Sequence, residues 1–214
     1  MSARADLMEL LGRRFARLAT DAVMRRPALW RVFRAPIRRQ FDRLGPRWDT
    51  MCGPDHLAAY EAALANVQPS PGRALDLGTG TGAGAFAIAR RFGEAEVTAV
   101  DIAPGMIEAA RRNTPPELAG RVHFIEADAA ALPFSNASFD LVAHANMIPF
   151  FDELARVLAP GGFALFGFSG GAETPIYVPP ARIREELAAR GFVHFEDFSA
   201  GRGLAFLAHK EKSE

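Results

Sequence analysis

The stretch from Ala74 to Gly84, ALDLGTGTGAG, decides how this chain folds. It begins with a short apolar run, passes through Asp76 and then places glycines at alternate positions, Gly78, Gly80 and Gly82. A helix-forming segment over residues 85–92 follows at once. Glycine allows a positive φ and a close approach of backbone to ligand, and a helix N-terminus presents free N–H groups. The order strand, glycine turn and helix therefore predicts a site for a nucleotide-like cofactor.

The glycine spacing does not by itself decide which cofactor this is. Gly78, Gly80 and Ala83 also fit the G-x-G-x-x-G/A fingerprint of dinucleotide-binding proteins. Asp101, 19 residues beyond Gly82 at the end of the next apolar run, suits the hydroxyl groups of a ribose. Most such cofactors contain a ribose, so an NAD(P)-dependent oxidoreductase stays open at this point.

Strand and helix patterns alternate from Arg73 onward. We predict strands over 74–77, 96–101, 121–125, 138–144, 163–168, 192–198 and 203–208, and helices over 85–92, 103–112, 151–158 and 181–190. Such alternation is typical of a mostly parallel sheet with helices on both faces. The tight turn before the final strand makes the closing pair antiparallel. The sequence thus predicts an α/β, Rossmann-like fold with a seven-stranded, mostly parallel sheet whose last strand is antiparallel.

The N-terminal segment has a different composition. Residues 1–47 contain twelve arginines and only four acids, about +8 in a chain of zero net charge. Apolar residues at helical spacing predict a first helix that ends before Pro27, and Pro36 is expected to separate a second piece from a third over 37–44. A further helix is predicted over 55–64. We therefore divide the chain into a basic N-terminal helical cap, residues 1–68, and a core, residues 73–214.

The arginine-rich segment has several interpretations. The favoured one is a cap that packs its apolar stripe on the acidic main domain and leaves its charges in solvent. A peripheral contact with an anionic membrane, a nucleic acid surface and a mitochondrial targeting role are the alternatives. Nucleic acid is the weakest of these, because no binding motif accompanies the arginines.

Composition restricts the class of protein further. The lone cysteine, Cys52, excludes an internal disulfide framework and a cysteine-based zinc site, and we expect no metal. The sequence contains no apolar run of about 18 residues and no signal-peptide pattern, so we expect a cytoplasmic protein.

Five sequence blocks in order carry a family resemblance: LDLGTGTG, AVDIAPGMIEAA, FIEADAAALPF, FDLV and RVLAPGG. Together they resemble the class I S-adenosylmethionine-dependent methyltransferases. Within that group the chain is similar to the small-molecule branch that includes quinone-biosynthesis methyltransferases. FDRLGPRWD, before the core, resembles the FDxLAxxYD segment of that branch. A dehydrogenase has no reason to carry the third or the fifth block.

The resemblance implies S-adenosylmethionine as cofactor and S-adenosylhomocysteine as product. It assigns cofactor contacts to a set of positions along the strand ends and the segment before the core: Trp48, Asp76, Gly78, Thr79, Gly80, Gly82, Asp101, Ile102, Met106, Asp128, Ala129, His144 and Ala145. Trp48 stands where the family usually has Tyr. His144 is our first candidate for a general base, because the end of its strand faces the crevice, and His56 is the second. His123, His194 and His209 are interpreted as structural.

The implied activity is methyl transfer to an O, N or C nucleophile of a small molecule. Apolar residues in the cap and near the site favour an aromatic or lipid-like acceptor: Trp30, Phe33, Trp48, Met147, Ile148, Phe150 and Phe151. The loops 144–150 and 169–180 are short for the family, so the acceptor site must depend on the cap or be open. A cofactor-binding protein without catalysis, acting through its basic arm, is the alternative outside enzymes.

Overall fold

The computed structural model describes residues 3–53 and 55–212, and its N-terminal part is helical. The helices are α1 (Ala3–Arg25), α2 (Trp30–Leu44), α3 (Trp48–Met51) and α4 (Ala58–Leu64). None of these helices, nor any other in the described ranges, combines the length and apolar character needed to cross a bilayer.

A seven-stranded sheet follows. Its strands are β1 (Arg73–Leu77), β2 (Glu96–Asp101), β3 (Val122–Glu126), β4 (Phe139–Ala145), β5 (Leu158–Phe168), β6 (Phe192–Ala200) and β7 (Gly203–Lys210), and the helices between them are α5 (Ala83–Arg91), α6 (Pro104–Asn113), α7 (Phe151–Val157) and α8 (Pro180–Ala188). The spatial order is β3-β2-β1-β4-β5-β7-β6. All strands are parallel except β7, which pairs antiparallel with β5 and with β6. The predicted α/β fold with an antiparallel last strand is confirmed.

Helices cover both faces of the sheet because its strands are apolar on both sides. On one face α4 and α5 bury residues such as Tyr60, Leu64 and Ile88. On the other face α7 and α8 bury Leu154 and Ile183, among others. This double coverage is what an alternating strand and helix pattern requires.

The prediction that Pro36 interrupts the second helix is wrong. Helix α2 runs through Pro36 without a break in its helical assignment. A proline inside a helix removes one backbone hydrogen bond and costs about 3 kcal/mol. Burial of Trp30 and Ile37 on the inner face of α2 offsets this cost, since each large apolar side chain contributes about 2 kcal/mol.

The predicted break at residues 159–162 also takes a different form. These residues lie within β5 as a bulge, because Leu158 already pairs with Phe139 of β4 and regular pairing resumes at Phe163. Gly161 allows the turn, with a φ of 76°. Helix α7 accordingly ends at Val157.

The N-terminal helices pack on the core through their apolar stripe. Ala19 and Val23 of α1 and Trp30 of α2 share a buried cluster with Ile148 and Ile176. Two arginines add polar contacts on the same side. Arg17 donates to the carbonyls of Ala172, Thr174 and Tyr177, and Arg38 pairs with Glu126 at 2.6 Å. The packing is that of a cap on the main domain.

Candidate functional site

A large cavity opens at the carboxyl ends of the central strands. Strand β1 lies between β2 and β4, which is where the strand order reverses and where open parallel sheets bind ligands. The cavity measures about 1150 Å³, counting the space open to solvent at its mouth. Its floor is the loop between β1 and α5, and helices α1 to α3 form its roof. The fold therefore places the glycine-rich loop and the cap on opposite walls of one chamber.

The glycine loop is held in an unusual backbone conformation. Gly78, Gly80 and Gly82 have φ values of 63°, 55° and 97°, a region that other residues avoid. The backbone N–H of Thr79 donates to the Val100 carbonyl at 2.9 Å, which ties this loop to β2. The loop is thus fixed by the sheet itself.

The three glycines of this loop have different structural roles. At Gly80 a Cβ would enter the cavity, with only the Trp48 ring nearby at 3.7 Å. At Gly82 a Cβ would lie 2.6 Å from the Phe86 ring, and this residue does not line the cavity. Gly78 lines the cavity and leaves room for Met147, which a Cβ would meet at 2.8 Å. Gly80 is therefore the glycine that keeps space open for a ligand, whereas Gly82 permits helix packing.

Two buried carboxylates border the cavity. Asp101 accepts hydrogen bonds from the N–H groups of Gly80 at 3.0 Å and Ala103 at 2.9 Å. Burial raises the pKa of the Asp101 carboxyl, and these N–H groups act in the opposite direction. Burial also raises the pKa of the Asp76 carboxyl, to about 7. Both acids line the cavity.

Asp76 has unused hydrogen-bonding capacity. By strict geometry, its Oδ2 atom and the Oγ1 atom of Thr79 are buried without a hydrogen-bond partner among the described residues, although the Thr79 hydroxyl lies close enough to the carboxyl to oppose the effect of burial on its pKa. Buried polar atoms are rarely left unpaired, because each such atom costs about 1–3 kcal/mol. Since both residues line the cavity, these atoms mark a place where a polar ligand group belongs.

Trp48 is held over the glycine loop by its neighbour. The Asp49 carboxylate accepts from Thr81 Oγ1 at 2.5 Å and from Asn113 Nδ2 at 2.8 Å. Phe41 packs edge-on against the indole, with ring centroids 5.6 Å apart. The side chain of Trp48 therefore forms part of the cavity roof.

The structure does not bring His144 to the cavity. Its side chain is fully buried and does not line the cavity. The imidazole packs edge-on against the Phe166 ring, with ring centroids 4.6 Å apart. Alternation along β4 is the physical reason, since the side chain of Ala145 lines the cavity and that of His144 points to the other face of the sheet. Burial lowers the pKa of the imidazole to about 3. His144 is neutral at physiological pH and cannot reach a ligand, so its proposed base role is withdrawn.

Asp128 also departs from expectation. Its carboxylate accepts from the Trp30 indole N–H at 2.9 Å and from the Ala130 N–H at 2.9 Å, and Arg34 lies 3.5 Å away. It does not line the cavity, although its neighbour Ala129 does. In this structure Asp128 thus fastens helix α2 to the end of β3. The remaining predicted residues, Ile102, Met106 and Ala145, lie in the cavity wall.

Comparison with known proteins identifies the domain that holds this cavity. Residues 74–162 match a family model described as a methyltransferase domain. The chain is 40% identical over 135 residues to the demethylmenaquinone methyltransferase of Thermus thermophilus, covering 57% of this chain and 60% of that protein. It is 35% identical over 149 residues to a malonyl-[acyl-carrier protein] O-methyltransferase of Halorhodospira halophila, covering 65% and 50%. The chain carries a methyltransferase domain.

The fold agrees with this assignment. A SAM-dependent methyltransferase of Aquifex aeolicus superposes with a TM-score of 0.65 at 17% identity, over 77% of this chain and 97% of that one. The chain spans only half to 60% of the length of the two curated relatives above. The shared part is therefore the methyltransferase domain.

S-adenosylmethionine is the cofactor that this domain implies, and the residues present fit it. A cationic amino group suits the unpartnered Oδ2 of Asp76, and the open space at Gly80 suits close passage of a ligand. Within the described residues, no three His, Cys, Asp or Glu side chains converge as a metal ion would need. The polar residues of the cavity wall thus offer hydrogen-bond partners to the amino acid and ribose parts of this cofactor.

Sequence reasoning missed most of the roof of the methyltransferase domain's cavity. The missed lining residues come mainly from the cap: Ala16, Ile37, Gln40, Phe41, Cys52 and Leu57. A signal was available, because Trp30, Ile37 and Phe41 recur at helical spacing on one face of α2. Such a stripe indicates burial but does not say whether it faces a core or a chamber.

Proposed function

We propose that this protein transfers a methyl group from S-adenosylmethionine to an O, N or C nucleophile of a small, aromatic or lipid-like acceptor. The observation that carries the proposal is that one cavity is lined by both polar and apolar groups. The glycine loop, Asp76 and Asp101 supply the polar groups, and the cap and the 145–150 loop supply apolar ones. A polar cofactor end and an apolar acceptor end would then meet in one chamber.

Bound S-adenosylmethionine supplies a methyl group already activated by its sulfonium. The protein's task is therefore chiefly to align the reacting groups and exclude water. Asp101 fixes the glycine loop through the Gly80 N–H, and Trp48 covers that loop from the roof side. Met147 and Phe150 narrow the chamber. These fixed side chains would align the reacting groups and exclude water from the chamber.

The apolar wall supports an acceptor with little charge. Trp30, Ile37, Phe41, Ile148 and Phe150 line the cavity, and Trp30 packs edge-on against Phe150 at 5.1 Å. Burying a charged acceptor here without a partner would cost several kcal/mol. The name of one relative, the demethylmenaquinone methyltransferase, supports a hydrophobic acceptor of this kind, whereas the malonyl-[acyl-carrier protein] O-methyltransferase acts on a different class of compound.

His56 is the residue that we propose to accept the acceptor's proton. It is the only imidazole among the described residues that lines the cavity. Its Nδ1 atom lies 2.7 Å from the Gly53 carbonyl oxygen, and a carbonyl can only accept. The proton of the neutral ring therefore sits on Nδ1, which leaves Nε2 with the free lone pair that a general base needs.

In an assay with a methyl acceptor, His56→Gln is expected to lower kcat by about a hundredfold, because a glutamine amide cannot act as a general base. Affinity for S-adenosylhomocysteine should stay within about twofold of the wild type. His144→Leu is the matched control, because its imidazole is buried and makes no hydrogen bond with a described residue. The control should keep the wild-type kcat, and a kcat of His56→Gln within about twofold of the wild type would contradict the base assignment.

The proposed function is tested first by calorimetric titration with S-adenosylhomocysteine and, in parallel, with NADH. We expect binding of the first ligand with a Kd of about a micromolar, and no binding of the second. Methyl-labelled S-adenosylmethionine with a panel of quinols, phenols and fatty acids then seeks the acceptor. Binding of NADH alone would favour an oxidoreductase. S-adenosylhomocysteine binding with no transfer to any acceptor class would favour a protein without catalysis.

A further inference from the structure

Helices α1 and α2 have two chemically distinct faces. The inner face packs on the methyltransferase domain, where Arg13, Arg17, Arg34 and Arg38 contact carbonyls or carboxylates. A second group of exposed arginines lies on the outer face or, in the case of Arg26, between the two helices: Arg14, Arg25, Arg26, Arg31, Arg39 and Arg43. None of these six forms a hydrogen bond or ion pair with a side chain that the structure describes. Packing on the core therefore accounts for only part of the basic segment.

Large apolar side chains lie among these outer arginines. Leu11 and Leu18 of α1 are 49% and 59% exposed, and Val32 of α2 is 65% exposed. Leu11, Arg14, Leu18 and Arg25 follow one another at spacings of three, four and seven residues, so they form one stripe along α1. On α2, Val32 and Arg39 are likewise seven residues apart. The outer face is thus basic and apolar at once.

This combination is concentrated in one place. Of the large apolar residues exposed in the described chain, four belong to α1 and α2, namely Leu10, Leu11, Leu18 and Val32. The others are Met51 on α3, Ile125 on β3 and Val193 on β6, and β3 and β6 are the edge strands of the sheet. Over residues 10–44, where side-chain exposure is described, the exposed acids of α1 and α2 are Asp21 and Asp42, and Asp42 accepts a hydrogen bond from the Gly105 N–H. The face therefore keeps a clear positive charge.

We propose that the outer face of α1 and α2 docks on an anionic membrane surface. Leucines inserted at the headgroup boundary and arginines at the level of the phosphates are the arrangement that such a helix pair adopts. Arginine side chains bury their methylene stems in the same layer while the guanidinium stays hydrated. A nucleic acid would satisfy the arginines but would leave the leucines in water.

The placement of the cavity agrees with this docking. Ala16 of α1 and Trp30, Ile37 and Gln40 of α2 line the cavity from the side opposite to the proposed membrane contact. The roof of the chamber would lie against the bilayer, so an apolar compound could pass from lipid to protein over a short distance. The docking itself does not depend on any methyl transfer, and its test needs no acceptor.

The test is co-sedimentation of the full chain with phosphatidylcholine vesicles that contain or lack phosphatidylglycerol. We expect binding only to the anionic vesicles, with a partition coefficient that falls at high salt. Two variants separate the contributions, Leu11→Gln/Leu18→Gln and Arg14→Gln/Arg25→Gln. Each should weaken partitioning by about tenfold or more. Thermal melts should show that both variants stay folded, because the altered side chains face solvent.

Matched controls change equivalent residues elsewhere. Ile125→Gln/Val193→Gln removes two exposed apolar side chains, and Arg73→Gln/Arg90→Gln removes two exposed charges outside the cap. Both controls should partition like the wild type. Absence of binding to anionic vesicles, or an equal loss in variants and controls, would overturn the proposal. Loss with the arginine pair alone, together with salt-sensitive RNA binding, would also overturn it and indicate a polyanion instead.

Discussion

Replacing Asp76 by Asn is expected to stabilise the ligand-free protein at about pH 8 and, at the same time, to weaken its binding of S-adenosylhomocysteine. The folded-state pKa of this carboxyl is raised to about 7 by burial, whereas the unfolded chain has a value of about 3.9. Between these values the unfolded chain has released its proton and the folded protein has not. The contribution of Asp76 to the free energy of unfolding therefore falls as pH rises from about 4 to about 7 and is constant above pH 7.

The expected size follows from the separation of the two pKa values. Each unit is worth about 1.4 kcal/mol, so ionisation of Asp76 costs the folded protein up to about 4 kcal/mol above pH 7. Asn avoids that cost but buries a side-chain amide whose N–H lacks a partner. This unpaired N–H lowers the gain in the free energy of unfolding by about 1–3 kcal/mol. The advantage of the Asn variant should therefore appear only at neutral and alkaline pH. Urea unfolding across the pH range measures it.

Ligand binding should respond in the opposite direction. A carboxylate that pairs with a cationic amino group contributes about 1.5–3 kcal/mol, so the variant should bind S-adenosylhomocysteine about tenfold to hundredfold more weakly. Wild-type affinity should rise with pH up to about 7, as the carboxylate ionises, and the variant should lack this rise. Asp55→Asn, an exposed carboxylate outside the cavity, is the control and should change neither property. A variant that binds as well as the wild type at about pH 8 would remove Asp76 from the site.

The second large effect is expected from Gly80→Ala. The added methyl group would project into the cavity beside Trp48, in the space that we assign to the cofactor. We expect affinity for S-adenosylhomocysteine to fall by about a hundredfold. The positive φ of 55° also costs stability, by about 1–2 kcal/mol for a residue with a Cβ.

Gly201→Ala separates the two effects. Gly201 has almost the same φ, 57°, in the turn between β6 and β7, and a Cβ there would meet nothing within 4 Å. Its variant should lose the same stability and keep full ligand affinity. Equal affinity losses in both variants would show that backbone strain, and not occupation of the cavity, explains the result at Gly80. Chemical denaturation and calorimetry on the pair give both quantities.

Much of this architecture could be predicted because its signals are local. The β1 run, the alternate glycines and the acid at the end of β2 are neighbours in sequence, and the sheet brings them together through rules that apply to every parallel strand. Asp76, Gly80 and Asp101 therefore lie where the pattern predicts, around one cavity. The alternation of strands and helices likewise predicted the mostly parallel sheet with its antiparallel last strand.

The rest depended on contacts between distant segments. Whether His144 or Ala145 faces the chamber is set by the pleat at the very end of β4, and a shift of one residue reverses the answer. Asp128 is occupied by Trp30, which lies 98 residues away along the chain. Pro36 lies inside a helix because the burial of Trp30 and Ile37 on either side of it outweighs the low helix propensity of proline. None of these three features could be predicted from a short window of neighbouring residues.

The paired hydrogen bonds of Asp101 have a further consequence. Because its carboxylate accepts hydrogen bonds from the Gly80 and Ala103 N–H groups, the glycine loop is held in place by contacts within the protein. Preorganisation of this kind moves the entropic cost of ordering from the binding step to the folding step. The same carboxylate cannot be exchanged to accommodate another cofactor without loosening the loop that defines the pocket. Redesign of cofactor preference in this protein should therefore begin at the roof and leave Asp101 in place.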